Sequence, residues 1–483
     1  MKTDLKNFLP GVGVTLLCII TSCIFIYIMA STQMLTAALM WLCVAVLVLF
    51  AAVVFLLTAS IRHRVRFIIG CVLAAIFITV QILGAYYIGT GAAALDDITT
   101  PEVEYAEIGV YVHEDDKAIT LADAKDYTFG ILEVLDRDAT NIAVEKINNE
   151  LGVTIKTIEF SGISELFEGL FVTKQINAFI LNKSFLELLE ETKELEDYAK
   201  DIRELYSVKI DHNASSGTQA PPPEDDTFTV YMSGIDCFGS VSRRSRSDVN
   251  ILATVNTKTG QILLVSTPRD YFVPLSISNG VPDKLTHAGI YGINVSKDTL
   301  AMLYDIDIDY YFRVNFDGFK DIIDALGGIT ANSFYTFKAA DTYYITKGEN
   351  QMSGEVALHF ARERHNVPGG DGTRGKHQME VIKGVINKML SPALLKNYTG
   401  VLNSVSGSFE TSIPYETIAS LVKDQLSNNT KWNVTSYSVS GTGASRRTYS
   451  QGYYAYVLIP DQSTVAHAKM LMEQVEDGEV PTP

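Results

Sequence analysis

Two short charged stretches gather the residues that could do chemistry. The first, 233–271, reads SGIDCFGSVSRRSRSDVNILATVNTKTGQILLVSTPRDY. It sets Asp236 after one apolar run and Arg243, Arg244 and Arg246 in a Gly/Ser-containing loop. Asp248 heads the apolar run 249–255, and Arg269 and Asp270 follow the run 262–267. Planar guanidinium forks match phosphate oxygens two at a time. A pair of carboxylates can hold Mg²⁺, which takes water and phosphate oxygens as its other ligands. The set suits a pyrophosphate, although a solvated basic loop beside a strand-end aspartate would read the same way.

The second stretch, 360–378, is FARERHNVPGGDGTRGKHQ. Arg362 and Arg364 are two apart, so a regular helix would not put them on one face, whereas Arg374 and Gln378 are four apart and share one. Asp371 is placed to cap the helix that carries them. His365 and His377 lack a metal-ligand spacing and read as non-catalytic. Glu363 is expected to face solvent or pair with an arginine. Seven of the fifteen arginines fall in these two stretches of a chain whose net charge is −17. That concentration points to a locally bound anion and argues against a nucleic-acid partner.

The elements that must position these groups follow from periodicity. Apolar runs 262–267 and 249–255 predict buried strands, with a turn at 257–260 between them. Helices are predicted over 283–291, 296–304 with Ser296 as cap, 317–326 closed by Gly327 and Gly328, 353–361 and 373–390. A strand is predicted over 309–315. Later come a helix at 415–426, strands at 431–439 and 453–459, and a helix at 463–475. These define a domain over 227–476 with an α-β-α architecture and a mixed central sheet, followed by a tail at 477–483. Residues 211–226 (DHNASSGTQAPPPEDD, with its last residues) form a Pro- and Ser-containing linker. Upstream, 101–210 alternates strands (128–134, 153–160, 177–182) with helices (138–151, 162–173, and an acidic one at 184–199), a small accessory α/β domain with no catalytic constellation.

Residues 1–95 hold three apolar stretches, 9–30, 35–58 and 67–89, each long enough to span a bilayer. Lys2 and Lys6 precede the first, and Arg62, Arg64 and Arg66 separate the second from the third. The excess of basic residues on these two sides predicts a cytoplasmic N-terminus and an extracellular position for everything after Thr90. Four of the five cysteines lie in the apolar stretches, leaving Cys237 alone beyond them. A disulfide framework is therefore excluded, as suits a bacterial surface protein.

Arg246-Ser247-Asp248, Thr267-Pro268-Arg269-Asp270, the run IDYYFRVNFDGFKDIIDALGGI from Ile308, and the ARERH, Asp371, Arg374 and Gln378 series together resemble the LytR-CpsA-Psr family. The three-span layout with an accessory domain is similar to that of the streptococcal capsule-biosynthesis member. The resemblance covers 227–390 most closely. It implies transfer of a glycan-1-phosphate from undecaprenyl pyrophosphate to peptidoglycan by a multi-pass membrane protein, with a polyprenyl pyrophosphatase side activity. By the same resemblance, Asp236 and Asp248 would hold Mg²⁺ or Mn²⁺, and Arg246, Arg269, Arg362 and Arg364 would clamp the pyrophosphate. Arg244, Arg374 and Gln378 would support them. Phe316, Phe319, Ile322 and Ile323 become candidates for an apolar wall along the lipid, although core packing would use them equally. The implied partners are the lipid-linked glycan, peptidoglycan, the membrane and other capsule-assembly proteins. A non-catalytic binder of lipid pyrophosphate that regulates capsule synthesis, or a transcription attenuator, is the competing reading.

Overall fold

The computed structural model describes residues 2–32, 37–59, 61, 63–99, 103–186, 188, 193–211, 223, 226–391, 401, 404, 405 and 407–483. They fall into two compact units. One holds Met1–Thr99, Lys388–Ser406 and Pro414–Lys431, and the other holds Thr100–Asn387, Gly407–Ile413 and Trp432–Pro483.

The first unit contains α1 (Lys2–Ser31), α2 (Ala37–Thr58) and α3 (Arg64–Thr99), together with the helix Tyr415–Asn428. Segments Phe8–Ser31, Ala37–Thr58 and Arg64–Ala93 are long and apolar enough to cross a membrane. They are apolar on all sides: Cys18 and Val54 are buried between them, while Trp41 and Leu49 point outward, 72% and 67% exposed. Helices that are apolar all round need a hydrophobic surrounding, as a bilayer supplies. One polar contact, Gln81 Nε2 to Ser22 Oγ at 2.6 Å, links α3 to α1.

The second unit begins with a five-stranded sheet. In chain order it comprises β1 (Tyr105–His113), β2 (Thr128–Leu132), α4 (Arg137–Leu151), β3 (Lys156–Phe160), α5 (Ile163–Phe171), β4 (Ala178–Asn182), α6 (Lys183–Leu186), α7 (Lys193–Lys200) and β5 (Ile202–Asp211). The strand order is β3-β2-β4-β1-β5. Strands β1 and β5 were absent from the sequence-based expectation. Within the acidic helix expected over 184–199, α6 reaches Leu186 and α7 begins at Lys193, with 187 and 189–192 outside the described residues. Most of the linker, 212–222 with 224 and 225, also lies outside them.

Then follow β6 (Thr227–Ile235), β7 (Ser247–Asn256), β8 (Gln261–Ser266), β9 (Phe272–Pro274), β10 (Pro282–Lys284), a 3₁₀ turn over Leu285–Tyr291, α8 (Ile293–Tyr304), β11 (Tyr310–Val314) and α9 (Phe316–Ala325). Two small hairpins come from β12 (Ile329–Ser333) with β15 (Gly348–Met352), and β13 (Phe337–Ala339) with β14 (Tyr343–Ile345). Next are α10 (Gly354–Arg362), α11 (Asp371–Met389), β16 (Phe409–Thr411), β17 (Asn433–Ser438), β18 (Gly441–Arg447), β19 (Tyr454–Pro460) and the helix Gln462–Glu476. The central sheet runs β16-β11-β6-β7-β8-β17. It is mixed, as expected: β6 is parallel to β11 and β8 to β17, while β7 is antiparallel to both β6 and β8.

One core joins Tyr231, Leu252, Leu263 and Val265 of this sheet to Leu300 and Tyr304 of α8 and to Leu471 and Met472 of the last helix. Asn315 caps α9, its Oδ1 accepting from Gly318 N at 2.9 Å. Gly327 and Gly328 follow α9 at φ of 72° and 82°, the left-handed turn that glycine allows. Ser296 does not cap α8. It lies buried inside the helix, and Gly292 precedes the first turn.

Candidate functional site

The site begins with a register slip. Gly234 of β6 pairs with Val249 of β7, but Ile235 pairs with Ser247, so Asp248 is the extra residue between two pairs. A β-bulge of this kind re-aims a side chain and is frequent beside active sites. Gly234 permits it, because a Cβ there would lie 2.7 Å from Val249 Cγ2. Just beyond, Asp236 N donates to Arg246 O at 3.0 Å, bringing together the two ends of the arginine loop.

Each aspartate meets a guanidinium. Arg246 Nη2 donates to Asp236 Oδ2 at 2.6 Å, and Arg269 Nη1 to Asp248 Oδ2 at 2.7 Å. The Thr286 hydroxyl donates to the other Asp248 oxygen at 3.0 Å, and its amide donates to Arg269 O at 2.9 Å. Arg374 comes from the first turn of α11 and pairs with Asp371 at 3.0 Å. Asp248, Thr267, Arg269, Asp371, Arg374 and Gln378 line one cleft. Burial alone would raise the Asp248 carboxyl. Arg269, Arg246 and Arg374 outweigh it and hold the group below the usual carboxylate range. Arg374 itself is lowered by burial, with Arg269 and Arg364 adding to the effect against the pull of Asp371. A cleft lined by Arg269 and Arg374 favours an incoming anion.

The remaining expected residues are placed as follows. Arg362 lies at the end of α10 with its guanidinium carbon 4.1 Å from the centre of the Phe316 ring. Arg364 is exposed and donates through Nε to His365 Nε2 at 3.3 Å. Gln378 Nε2 donates to Ala361 O at 3.2 Å and so ties α11 to α10. Asp236, Arg244, Arg246, Arg362 and Arg364 are not among the residues lining the cleft, and Arg244 Nε lies 3.4 Å from Glu104 Oε2.

Several smaller expectations are corrected. Asp371 holds Arg374 within the first turn of α11. Glu363 is neither exposed nor paired with an arginine, because it is buried and accepts from the amides of His365 and Asn366, both at 2.9 Å. Its work is to hold the turn after α10. His377 is buried and stacked 4.2 Å from Phe360. Phe316, Phe319 and Ile322 are half-buried and Ile323 is buried. Thr286 was missed. It is far from Asp248 in sequence, and no local pattern marks it as that residue's partner.

The fit of a cation rests on the donor set. Asp236 and Asp248 are hard oxygen ligands at adjoining strand ends, and Asp248 is held ionised. Among the described residues no group of three or more His, Cys, Asp or Glu is arranged to hold a metal. Mg²⁺ or Mn²⁺ here would complete its shell from water and phosphate, which is how Mg²⁺ is commonly bound. On that chemistry the aspartate pair fits.

Comparison with known proteins agrees with this layout. The LytR_cpsA_psr family model matches residues 187–472. The chain belongs to the LytR-CpsA-Psr family. The match begins upstream of β6, taking in β5. The chain is 33% identical over 234 residues to TagU of Enterococcus faecalis, a polyisoprenyl-teichoic acid–peptidoglycan teichoic acid transferase, covering 48% of this chain and 75% of that one. It is 30% identical over 269 residues to the Bacillus subtilis transferase of the same name, covering 55% of this chain and 84% of the relative. The crystal structure of B. subtilis TagV is matched at 26% identity and a TM-score of 0.45, over 54% of this chain and all of that one.

Proposed function

We propose that this protein is a membrane-anchored phosphotransferase that moves a glycan-1-phosphate from a polyprenyl pyrophosphate carrier to a hydroxyl of peptidoglycan. The observation that carries the reading is the cleft that Arg269, Arg374 and Gln378 line around the bulged Asp248, with Arg269 bonded to that carboxylate at 2.7 Å. The names of its relatives as polyisoprenyl-teichoic acid transferases support the reaction class. A capsular polysaccharide as the glycan rests on the likeness of the three-span layout to the streptococcal capsule-biosynthesis member of the family.

Phosphoryl transfer needs positioning and charge neutralisation more than covalent participation. The acceptor hydroxyl oxygen bonds to the glycan-bearing phosphorus. The bond from that phosphorus to the bridging oxygen breaks, and polyprenyl phosphate leaves. Arg269 and Arg374, in the cleft lining, take up the growing charge, with Arg246, Arg362 and Arg364 as supporting cations. Asp248, held ionised and bonded at both oxygens, is suited to holding a cation. The hydroxyl proton passes to one of the two aspartates, Asp236 or Asp248. A Mg²⁺ or Mn²⁺ held by Asp236 and Asp248 would supply further charge neutralisation. Water in place of the acceptor gives the pyrophosphatase side reaction.

Phosphate release from geranyl pyrophosphate tests this. It is expected to require Mg²⁺ or Mn²⁺, to stop with EDTA, and to be lost in a folded Asp248→Ala variant. In cells that variant is expected to shed capsule into the medium. Binding without turnover in the wild-type protein would instead leave a regulator that senses lipid pyrophosphate. Turnover unaffected by EDTA would remove the metal from the reading.

A further inference from the structure

The loop that carries Arg246 is gripped from outside its own sheet. Tyr105, the first residue of β1, pairs with it through the backbone: Tyr105 N donates to Ser242 O at 3.2 Å, and Arg244 N donates to Tyr105 O at 3.0 Å. Side chains of the accessory domain add three more holds. Ser184 Oγ donates to Arg244 O at 2.8 Å, Arg243 Nε lies 3.9 Å from Glu107 Oε2, and Arg244 Nε lies 3.4 Å from Glu104 Oε2.

Glu104 does the most. Its Oε1 accepts from Arg313 Nη1 and, at 3.1 Å, from Ile293 N at the start of α8. Arg313 stands on β11, beside β6, with only 2% of its side chain exposed. It also donates through Nε to Glu410 Oε2 at 3.2 Å, and Glu410 Oε1 accepts from the Ser242 hydroxyl. The chain of contacts therefore leaves the loop at Arg244, passes through Glu104, Arg313 and Glu410, and re-enters it at Ser242. Arg246, four residues after Ser242, is paired to Asp236. The seat is tight, since a Cβ on Gly292 would lie 2.6 Å from Glu104 Oε2. Burial alone would raise the Glu104 carboxyl, but Arg313 and Arg244 outweigh it and hold the group below its usual range.

We infer that Glu104 is a positioning residue for the pyrophosphate site. It fixes the 242–246 loop, and through it the orientation of Arg246 toward Asp236 and Asp248. The accessory domain is thus part of the working site through this carboxylate, which the sequence pattern around Asp236 and Arg269 does not reveal. Buried ion pairs are weak sources of net stability but costly to break on one side. Their well-attested use is to fix one arrangement among several.

The inference rests on the phosphotransferase reading, so its test has a readout independent of activity. In the full-length chain in detergent, Glu104→Gln is expected to raise hydrogen exchange at amides 242–246 while leaving β2–β4 protected as in the wild type. With geranyl pyrophosphate it is expected to lower kcat at least tenfold, with KM changed less. Glu159→Gln, which removes the exposed ion pair of the same domain with Arg137, is expected to leave both readouts unchanged. Wild-type exchange at 242–246 in Glu104→Gln, or kcat within twofold, would overturn the inference. If that variant unfolds, Glu104→Asp takes its place: it keeps the charge but shortens the reach, and the same two results decide. Absence of wild-type turnover would defeat the functional reading and leave the exchange experiment intact.

Discussion

Arg269 serves two neighbours at once, donating through Nη1 to Asp248 while its backbone carbonyl accepts from Thr286. A lysine would keep the charge but lose the planar fork that can face a carboxylate and a phosphate together. Arg269→Lys is therefore expected to cut turnover of geranyl pyrophosphate by roughly 10²-fold, the order found when one preorganised donor is removed. The far-ultraviolet circular dichroism should stay unchanged, and turnover near wild type would assign Arg269 a structural role. His377 is a different case at the same scale. Burial among Phe334, Phe337 and Phe360 pushes its imidazole from 6.5 down to about 4. The unfolded chain then binds a proton that the folded one refuses. The contribution of His377 is whole above pH 6.5 and is lost as pH falls from there toward 4. Urea unfolding across that range should show stability rising with pH, and His377→Phe should flatten the rise. An unchanged slope would place the titration elsewhere.

Among the elements, the β6–β7 pair decides the site. An unbroken ladder would send alternate residues of β7 to alternate faces. The slip between Gly234 and Ile235 inserts Asp248 as an unpaired residue beside Arg269. Gly234→Ala would press its methyl against Val249 Cγ2, 2.7 Å away. The expected cost is about 1–3 kcal/mol of stability, as for other overpacked positions, together with a loss of turnover from the displaced Asp248. Gly234→Ala combined with Val249→Gly removes both close contacts, Cγ2 at 2.7 Å and Cβ at 2.8 Å, and should recover turnover. Failure of the double variant to recover it would mean that the bulge does not depend on this contact.

For the whole molecule, the proposed function depends on membrane topology, because a peptidoglycan acceptor and a lipid-linked donor would meet only outside the cell. The basic residues at 62, 64 and 66, set against the uncharged segment 31–34, predict the orientation of the three spans. In a cysteine-less background on intact cells, a cysteine replacing the exposed Glu145 should react with a membrane-impermeant maleimide, and one replacing Arg64 should not. The reverse pattern would rule out an extracellular site.

The sequence by itself determined the three apolar spans, the alternation of strands and helices after them, and the two arginine-rich stretches. These are local signals: an apolar run of twenty residues, a two-residue or near-four-residue period, or a charge cluster reads the same in any context. It also carried the motif series that marks the family. Tertiary structure alone decided which groups meet. Thr286 reaches Asp248 across 38 positions and Arg313 reaches Glu104 across 209, separations at which no periodicity survives. The bulge was equally hidden, because it is a matter of register between two strands and not of composition in either. Arg244 shows the limit most plainly. It sits in the same arginine run as Arg246, yet packing turns it to Glu104. Neighbours in sequence share a loop, but desolvation and the nearest opposite charge choose their partners.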